Sequence, residues 1–513
     1  MILTLQEYRD KVLGCWTGKN IGGTLGAPFE CKRGVFEIDF YTQDPGGEPL
    51  PNDDLDLQLV WLNVVEKYGR FTNAEILGEY WHSYIVPNWS EYGAGKNNMR
   101  RGLLPPLSGY VNNNNRDSCG AFIRSEIWAC LSPGHPEIAV KYAYEDAIVD
   151  HSHEGVYAEV FFAAIQSSAF VETDTYRLID IGLSYIPEDC GVARAVKCVL
   201  ECREKGLDWK AARKKLLNEV PGSFGMLTGY ETREPEPDVP VGRMGYDAPS
   251  NVGITIIGWV YGENDFGKSL CIAAGCGEDS DCTAATLGAI LGIIHGYRGI
   301  PEKWLKPIGG TIKSISVNLG DAGIKIPGTV DELTERVIRL TPLFLGSELC
   351  DTVNAVNGYT IKTSEPHLLY NHPVRINSYA DYRFEDILML QPFKVKHRFI
   401  LFDVVVDYCD EPFIQESVPK KFRLHIENKM RIQQWLEIKW YLPDGWQITP
   451  SKEICLSLEQ YHGNIGKAET EFEIIPAGLD RARYDLVVEI RSVGRHSKGL
   501  IPVVLLNGLK GGG

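Results

Sequence analysis

Basic runs, long apolar runs and paired cysteines are all missing from this chain of 513 residues. The 68 Asp+Glu outnumber the 52 Lys+Arg, leaving a formal charge of −16, and the cations are scattered. Binding to a phosphate backbone depends on clustered Lys and Arg displacing counterions, so no nucleic-acid partner is expected. No stretch approaches the roughly 18 uninterrupted apolar residues of a membrane span, so no membrane partner is expected either. The opening MILTLQEYRD has acidic and polar residues where a secretory or transit segment would need others, which points to a cytoplasmic chain. The 13 cysteines are odd in number and lack CxxC spacing. Reduced, mostly buried thiols are expected rather than a zinc ribbon or a disulfide framework.

A content of 44% apolar, 10% aromatic and 23% charged residues is that of a folded globular chain. From Leu5 to about Phe344 apolar residues recur at helical spacing, as in DLQLVWLNVVEKYG, EGVYAEVFFAAIQSSAF and CTAATLGAILGIIHG. The last two are apolar nearly all round and rich in Ala and Gly, which suits helices at the centre of a large helical domain. After LTPLFLGSELC the period changes to two, with Phe422, Leu424 and Ile426, then Leu436, Ile438, Trp440 and Leu442, then Tyr484, Leu486, Val488 and Ile490. The expected architecture is multi-domain, an all-α helical domain over residues 1–350 followed by an all-β sandwich over 351–513. Two stretches break the helical pattern: GYVNNNNRDSCG around residues 110–120, and the Pro- and Gly-rich stretch that begins at Pro221.

Chemistry concentrates in three places. NDDLDLQ sets Asn52, Asp53, Asp54 and Asp56 at the start of an amphipathic helix. N-capping accounts for one or two of these groups, whereas adjacent carboxylates form the oxygen-rich donor set that Mg²⁺ requires. GCGEDSDCTAATLGAILG places Asp279 and Asp281 at a second helix start, with no cation nearby in sequence. If the two starts converge, two ions about 3.5–4 Å apart would balance four carboxylates. In GCWTGKNIGGTLGAPFE, Gly14, Gly18, Gly22 and Gly26 line one helix face, which reads as close helix packing. Glu30, just beyond that helix, is either a surface charge or a general base aimed into a pocket.

The order GxxxGxxxGxPxE, NDD, Gly120-Ala-x-x-Arg124, DHSHEG and GxDxDxxAAxxGAxxG resembles the ADP-ribosylglycohydrolase family over roughly residues 8–305. The resemblance implies an all-α domain with a binuclear Mg²⁺ site, Mn²⁺ being possible, that hydrolyses the glycosidic bond at C1″ of ADP-ribose on a protein or small molecule. It implies metal ligation by Asn52, Asp53, Asp54, Asp279 and Asp281, catalytic roles for Glu30 and Asp54, and substrate binding by Ser118, Gly120, Arg124 and His151. Two departures stand out: Asn52 and Cys282 replace hydroxyl residues, and sulfur suits softer ions than Mg²⁺. The resulting expectation is a metal-dependent glycoside hydrolase cleaving a ribofuranosyl N- or O-glycosidic bond in a small-molecule or ADP-ribosylated substrate. The alternatives are a furanosidase for a nucleoside-like or oligosaccharide substrate, and a non-catalytic binding or structural protein on the same scaffold. His151 and His153 are expected to be a core histidine and a surface one, and Trp440 a core residue rather than a sugar platform. YLPDGWQITP resembles the strand turns of Ig-like modules.

Overall fold

The computed structural model describes residues 1–220, 239, 246–317, 324–352, 358–371, 392–460 and 466–508. The Pro- and Gly-rich stretch between residues 221 and 245 therefore lies outside the described residues, apart from Val239. Contacts divide the chain into two compact units, Met1–Leu77 with Tyr84–Gly95 and Gly109–Tyr379, and Gly78–Ser83 with Lys96–Ser108 and Ala380–Gly513.

The first unit is helical, and its centre is a pair of helices whose sequences dictate their approach. The helix Leu5–Gly26 starts at a capping box, in which Thr4 accepts from the Glu7 backbone and Glu7 accepts from that of Thr4. Its glycines then lie against the helix Ser280–His295. A side-chain carbon at Gly14, Gly18, Gly22 or Gly26 would overlap the carbonyl of Gly292, Gly288, Ala284 or Ser280 in turn. The two helices thus run antiparallel and meet backbone to backbone, which small residues at every fourth position permit and any larger ones forbid. This holds Ser280–His295 with Ala284, Leu287 and Ile290 fully buried, as its all-round apolar pattern requires. The helices Asp53–Tyr68, Glu154–Ser168 and Ala248–Gly262 complete the surroundings of the site. The Asn-rich segment is anchored from within, since buried Asn113 donates to the carbonyls of Gly109 and Asp150 at 2.8 and 2.7 Å.

A small antiparallel sheet in the order Ile2–Thr4, Thr360–Lys362, Cys350–Asp351 also belongs to this unit. The strands just past residue 350 therefore pair with the N-terminus, and sandwich strands begin at Lys394. The division into 1–350 and 351–513 stands as our proposal for the domain organisation.

The second unit carries two five-stranded sheets. One runs Glu453–Leu458, Gln434–Tyr441, Arg483–Ser492, Lys498–Asn507, Phe413–Ile414, and the other Gln447–Thr449, Lys467–Ile475, Lys420–Asn428, Phe402–Asp407, Lys394–Arg398. Strand alternation sends Leu436, Ile438 and Trp440 inward and leaves Trp435 and Tyr441 exposed. Trp440 packs against Phe422 and Phe472 of the opposite sheet, with ring centroids 5.5 and 5.3 Å away. It is a core residue, and the two sheets form a sandwich closed by its inward faces.

Candidate metal centre

Both acidic helix starts lead into one small volume. Carboxylate or thiol atoms of Asp54, Asp281 and Cys282 lie within 4.8 Å of one another, as do those of Glu30, Asp279 and Asp281. Asn52 ties the two starts together. Its amide oxygen caps the helix Asp53–Tyr68 by accepting from the Asp54 backbone at 2.8 Å, and its amide nitrogen donates to Asp281 at 3.2 Å. The oxygen expected to face a metal is thus engaged in the cap.

The remaining acids separate by what they touch. Asp56 is structural, because it accepts from the backbones of Ile315 and Ser316 and from the Ser316 hydroxyl at 2.6–2.9 Å. Asp53 is half-buried and accepts from the Tyr92 hydroxyl at 3.2 Å. Asp279 occupies the N-cap position of Ser280–His295, yet its side chain makes no capping bond. One oxygen each of Asp54, Asp279 and Asp281 is buried with no hydrogen-bond partner. Such atoms are costly to desolvate, and divalent-cation ligation would satisfy all three, so these residues fit the Mg²⁺ that the sequence implies.

The electrostatics reflect that crowding. Burial, reinforced by Asp56 and Asp279, pushes Asp53 up to about 6. Burial, then Asp279, Asp54 and Glu30, raises Asp281. Glu30 stands exposed at the lip of the cluster, where partial desolvation and the charges of Asp279 and Asp53 push it up to about 7. Burial also raises both thiols that face the carboxylates, Cys119 and Cys282. Protonated, Cys119 donates to Asp279 at 2.7 Å and Cys282 to Asp54 at 3.3 Å.

The four expected substrate-binding residues form a buried network beside the cluster. Ser118 bonds His151 Nε2 at 2.9 Å, and His151 Nδ1 bonds Asp150 at 2.9 Å. Arg124 is fully buried and pairs with Asp150 at 2.6 Å and Asp146 at 2.8 Å. Gly120 is buried against Glu91, whose carboxylate a side chain there would overlap. Only Cys119, between Ser118 and Gly120, reaches the acidic cluster. His153 is exposed. Arg124 is neutralised by its acidic partners, and none of these groups opens onto solvent.

Sequence reasoning passed over Lys19, Tyr92 and Cys119. Lys19 is buried and its ammonium is 3.0 Å from Glu126. Its signal was available, a lysine set among the glycines of that helix, but spacing alone does not say which face it takes.

A family model described as ADP-ribosylglycohydrolase matches residues 4–340. The chain is also 41% identical over 46 residues to ADP-ribosylarginine hydrolase Tri1 of Serratia proteamaculans strain 568, which amounts to 9% of this chain and 13% of that protein. The chain thus spans a small fraction of that relative's length. A solved ADP-ribosylglycohydrolase-related protein complex is 18% identical and covers 66% of this chain and 100% of its own, at a TM-score of 0.39. Among the described residues no helix is long and apolar enough to cross a membrane.

Proposed function

We propose, for a chain that belongs to the ADP-ribosylglycohydrolase family, that the acidic cluster is a binuclear Mg²⁺ centre at which a ribofuranosyl N- or O-glycosidic bond of an ADP-ribosyl-like substrate is hydrolysed. The observation that carries this reading is the convergence of partnerless buried oxygens from Asp54, Asp279 and Asp281. A purely structural protein gains nothing by keeping like charges together in its interior. Asp53, Asp54, Asp279 and Asp281 would hold the ions, and Mn²⁺ would serve the same donors. Bound there, the ions would supply Lewis-acid polarisation of substrate oxygens and neutralise the cluster.

The chain's own groups do the rest. Glu30, poised near neutrality at the exposed lip, takes the proton of the water that attacks the anomeric carbon, and Asp54 supports it from within. Asn52 orients Asp281, and the thiols of Cys119 and Cys282 orient Asp279 and Asp54. Ser118, Gly120, Arg124 and His151, buried beside the cluster, bear on substrate by holding in place the segment that carries Cys119 to Asp279. The protein works in the cytoplasm on a small-molecule or ADP-ribosylated substrate.

The test is release of ADP-ribose from an ADP-ribosylated arginine peptide, followed by chromatography with Mg²⁺, with Mn²⁺ and with chelator. Chelator-sensitive release is expected. No release from N- or O-linked ADP-ribose or from simple ribofuranosides under any of these conditions would remove the enzyme reading.

A second expectation concerns Cys282. With its thiol protonated and packed on Asp54, Cys282→Ser keeps or tightens Mg²⁺ binding and leaves metal preference unchanged, measured by calorimetry. Loss of binding in the Ser variant would mark sulfur as a ligand.

A further inference from the structure

We propose that the second unit carries a binding site for a phosphoryl-type oxyanion, floored by His82 and Lys96 and rimmed by Arg100 and His496. The site is separate from the acidic centre, whose carboxylates and thiols all belong to the first unit.

Three segments supply it, and all the residues concerned fall in the second unit. The helix Ala74–Tyr84 brings Glu79, His82 and Ser83. The helix Ser90–Arg100 brings Lys96 and Arg100, four residues apart and so on one face. The turn before the strand Lys498–Asn507 brings Arg495 and His496. Contacts fix the three together. A side-chain carbon at Gly78 would stand 2.8 Å from Met99 Sδ, and one at Gly102 would stand 2.9 Å from the Lys498 carbonyl. Arg495 donates to Glu79 and, at 3.3 Å, to the Ser83 hydroxyl, and the His82 and His496 rings lie 6.3 Å apart.

What these contacts leave over is basic. Glu79, nearly one turn before His82, is paired with Arg495. His82 is only 8% exposed, and both of its ring nitrogens are buried with no hydrogen-bond partner. In either tautomer one of them carries a proton, so a buried donor stands unused, and such a donor is costly until something accepts from it. Lys96 is 2% exposed and brings an ammonium into the same interior. The groups that bear on His82 are Arg100, His496 and Lys96, all basic, and together with burial, the larger cause, they lower it to about 3. Burial, then Arg100, lowers Lys96 to about 8, which leaves it charged at neutral pH. Arg100 and His496 are exposed and give access from solvent. A metal ion would meet Lys96 and Arg100 as like charges. An oxyanion only accepts hydrogen bonds, brings the negative charge this corner lacks, and as a phosphoryl group presents several oxygens to donors that arrive from three segments. A histidine serving only the core would have no reason to keep two unused nitrogens beside a buried lysine.

The experiment is calorimetry and thermal melting of the metal-stripped full chain with inorganic phosphate, with glycerol phosphate, and with potassium chloride at matched ionic strength. It compares wild type, His82→Phe, Lys96→Met and, as a control on an exposed helix elsewhere, Lys306→Met. Wild type is expected to bind one phosphate per chain and to melt higher with it, whereas chloride, which only screens, gives no such rise. His82→Phe removes both unused nitrogens at similar size, so without anion it should melt no lower than wild type. Its phosphate affinity should fall at least about tenfold, as should that of Lys96→Met, while Lys306→Met keeps the wild-type value. Binding of both phosphates would mark a site for phosphate esters, and binding of inorganic phosphate alone a site for the free ion; each supports the inference. No phosphate binding by wild type, a melting rise matched by chloride, or wild-type affinity in both His82→Phe and Lys96→Met would overturn it and leave His82 a buried histidine without a ligand.

Discussion

Asp281→Asn is expected to abolish the Mg²⁺-dependent rise in melting temperature and to cut hydrolysis by ~10³-fold. Asp281 is the carboxylate shared by the two oxygen-bearing groups, one with Asp54 and Cys282, the other with Glu30 and Asp279. Asn keeps its size and can still bond Asn52, so the fold survives. The sign of the stability change separates this account from simple damage. Removing a negative charge beside Asp279, Asp54 and Glu30 relieves repulsion, so the metal-free variant should melt above metal-free wild type.

The pH dependence follows from the same crowding. Glu30 rises from 4.5 to about 7 and Asp53 from 3.8 to about 6 in the folded chain. A carboxyl with a raised folded pKa favours the fold while protonated, and that contribution is lost as pH climbs through the folded value. Metal-free wild type should thus lose stability from about pH 4 to about pH 7, and the Mg²⁺ increment should be largest above pH 7. Melting curves with and without Mg²⁺ at about pH 5 and about pH 8 read this directly. An increment equal at both pH values, or intact in Asp281→Asn, would count against ligation by Asp281.

Gly22→Val is expected to cost the fold at least about 3 kcal/mol and to take metal binding with it. A side-chain carbon there would overlap the backbone of Ala284, one turn beyond Asp281. Backbone cannot rotate aside as a flexible side chain can, so the two helices must separate, and with them the halves of the acidic cluster. Gly310→Ala is the control. It has ordinary contact at 3.8 Å with Val330 and should stay within about 0.5 kcal/mol of wild type. Urea unfolding measures both, and a Gly22 variant as stable as wild type would show that this contact does not anchor the centre.

Much of this was legible because the relevant signals are local. The four-residue glycine spacing announces a backbone-close helix contact wherever its partner lies, and the partner in turn shows its own small residues, Gly288, Gly292 and Ala284. Period-two patterning placed Trp440 in the sandwich core, because alternation fixes which face a strand residue takes. The switch to strands was also readable, although Thr360–Lys362 pairs back to Ile2–Thr4, since a short strand does not state its partner.

The sequence by itself determined the helical unit, the sandwich, and the two acidic helix starts with their crowded Asp pairs, because periodicity and capping act within a few residues. Only the tertiary structure decided what each acid does. Asp53, Asp54 and Asp56 are neighbours in sequence, yet one oxygen of Asp56 is spent on the backbone of Ile315 and Ser316 while Asp54 is grouped with Asp281 and Cys282. Arg124 and His151 lie fully buried in an ion-paired network, and Lys19 is buried on Glu126. The physical reason is that a charge takes its role from the groups around it. Those groups come from residues more than a hundred positions away, such as Glu126 for Lys19 and Asp281 for Asp54, and only folding brings them together.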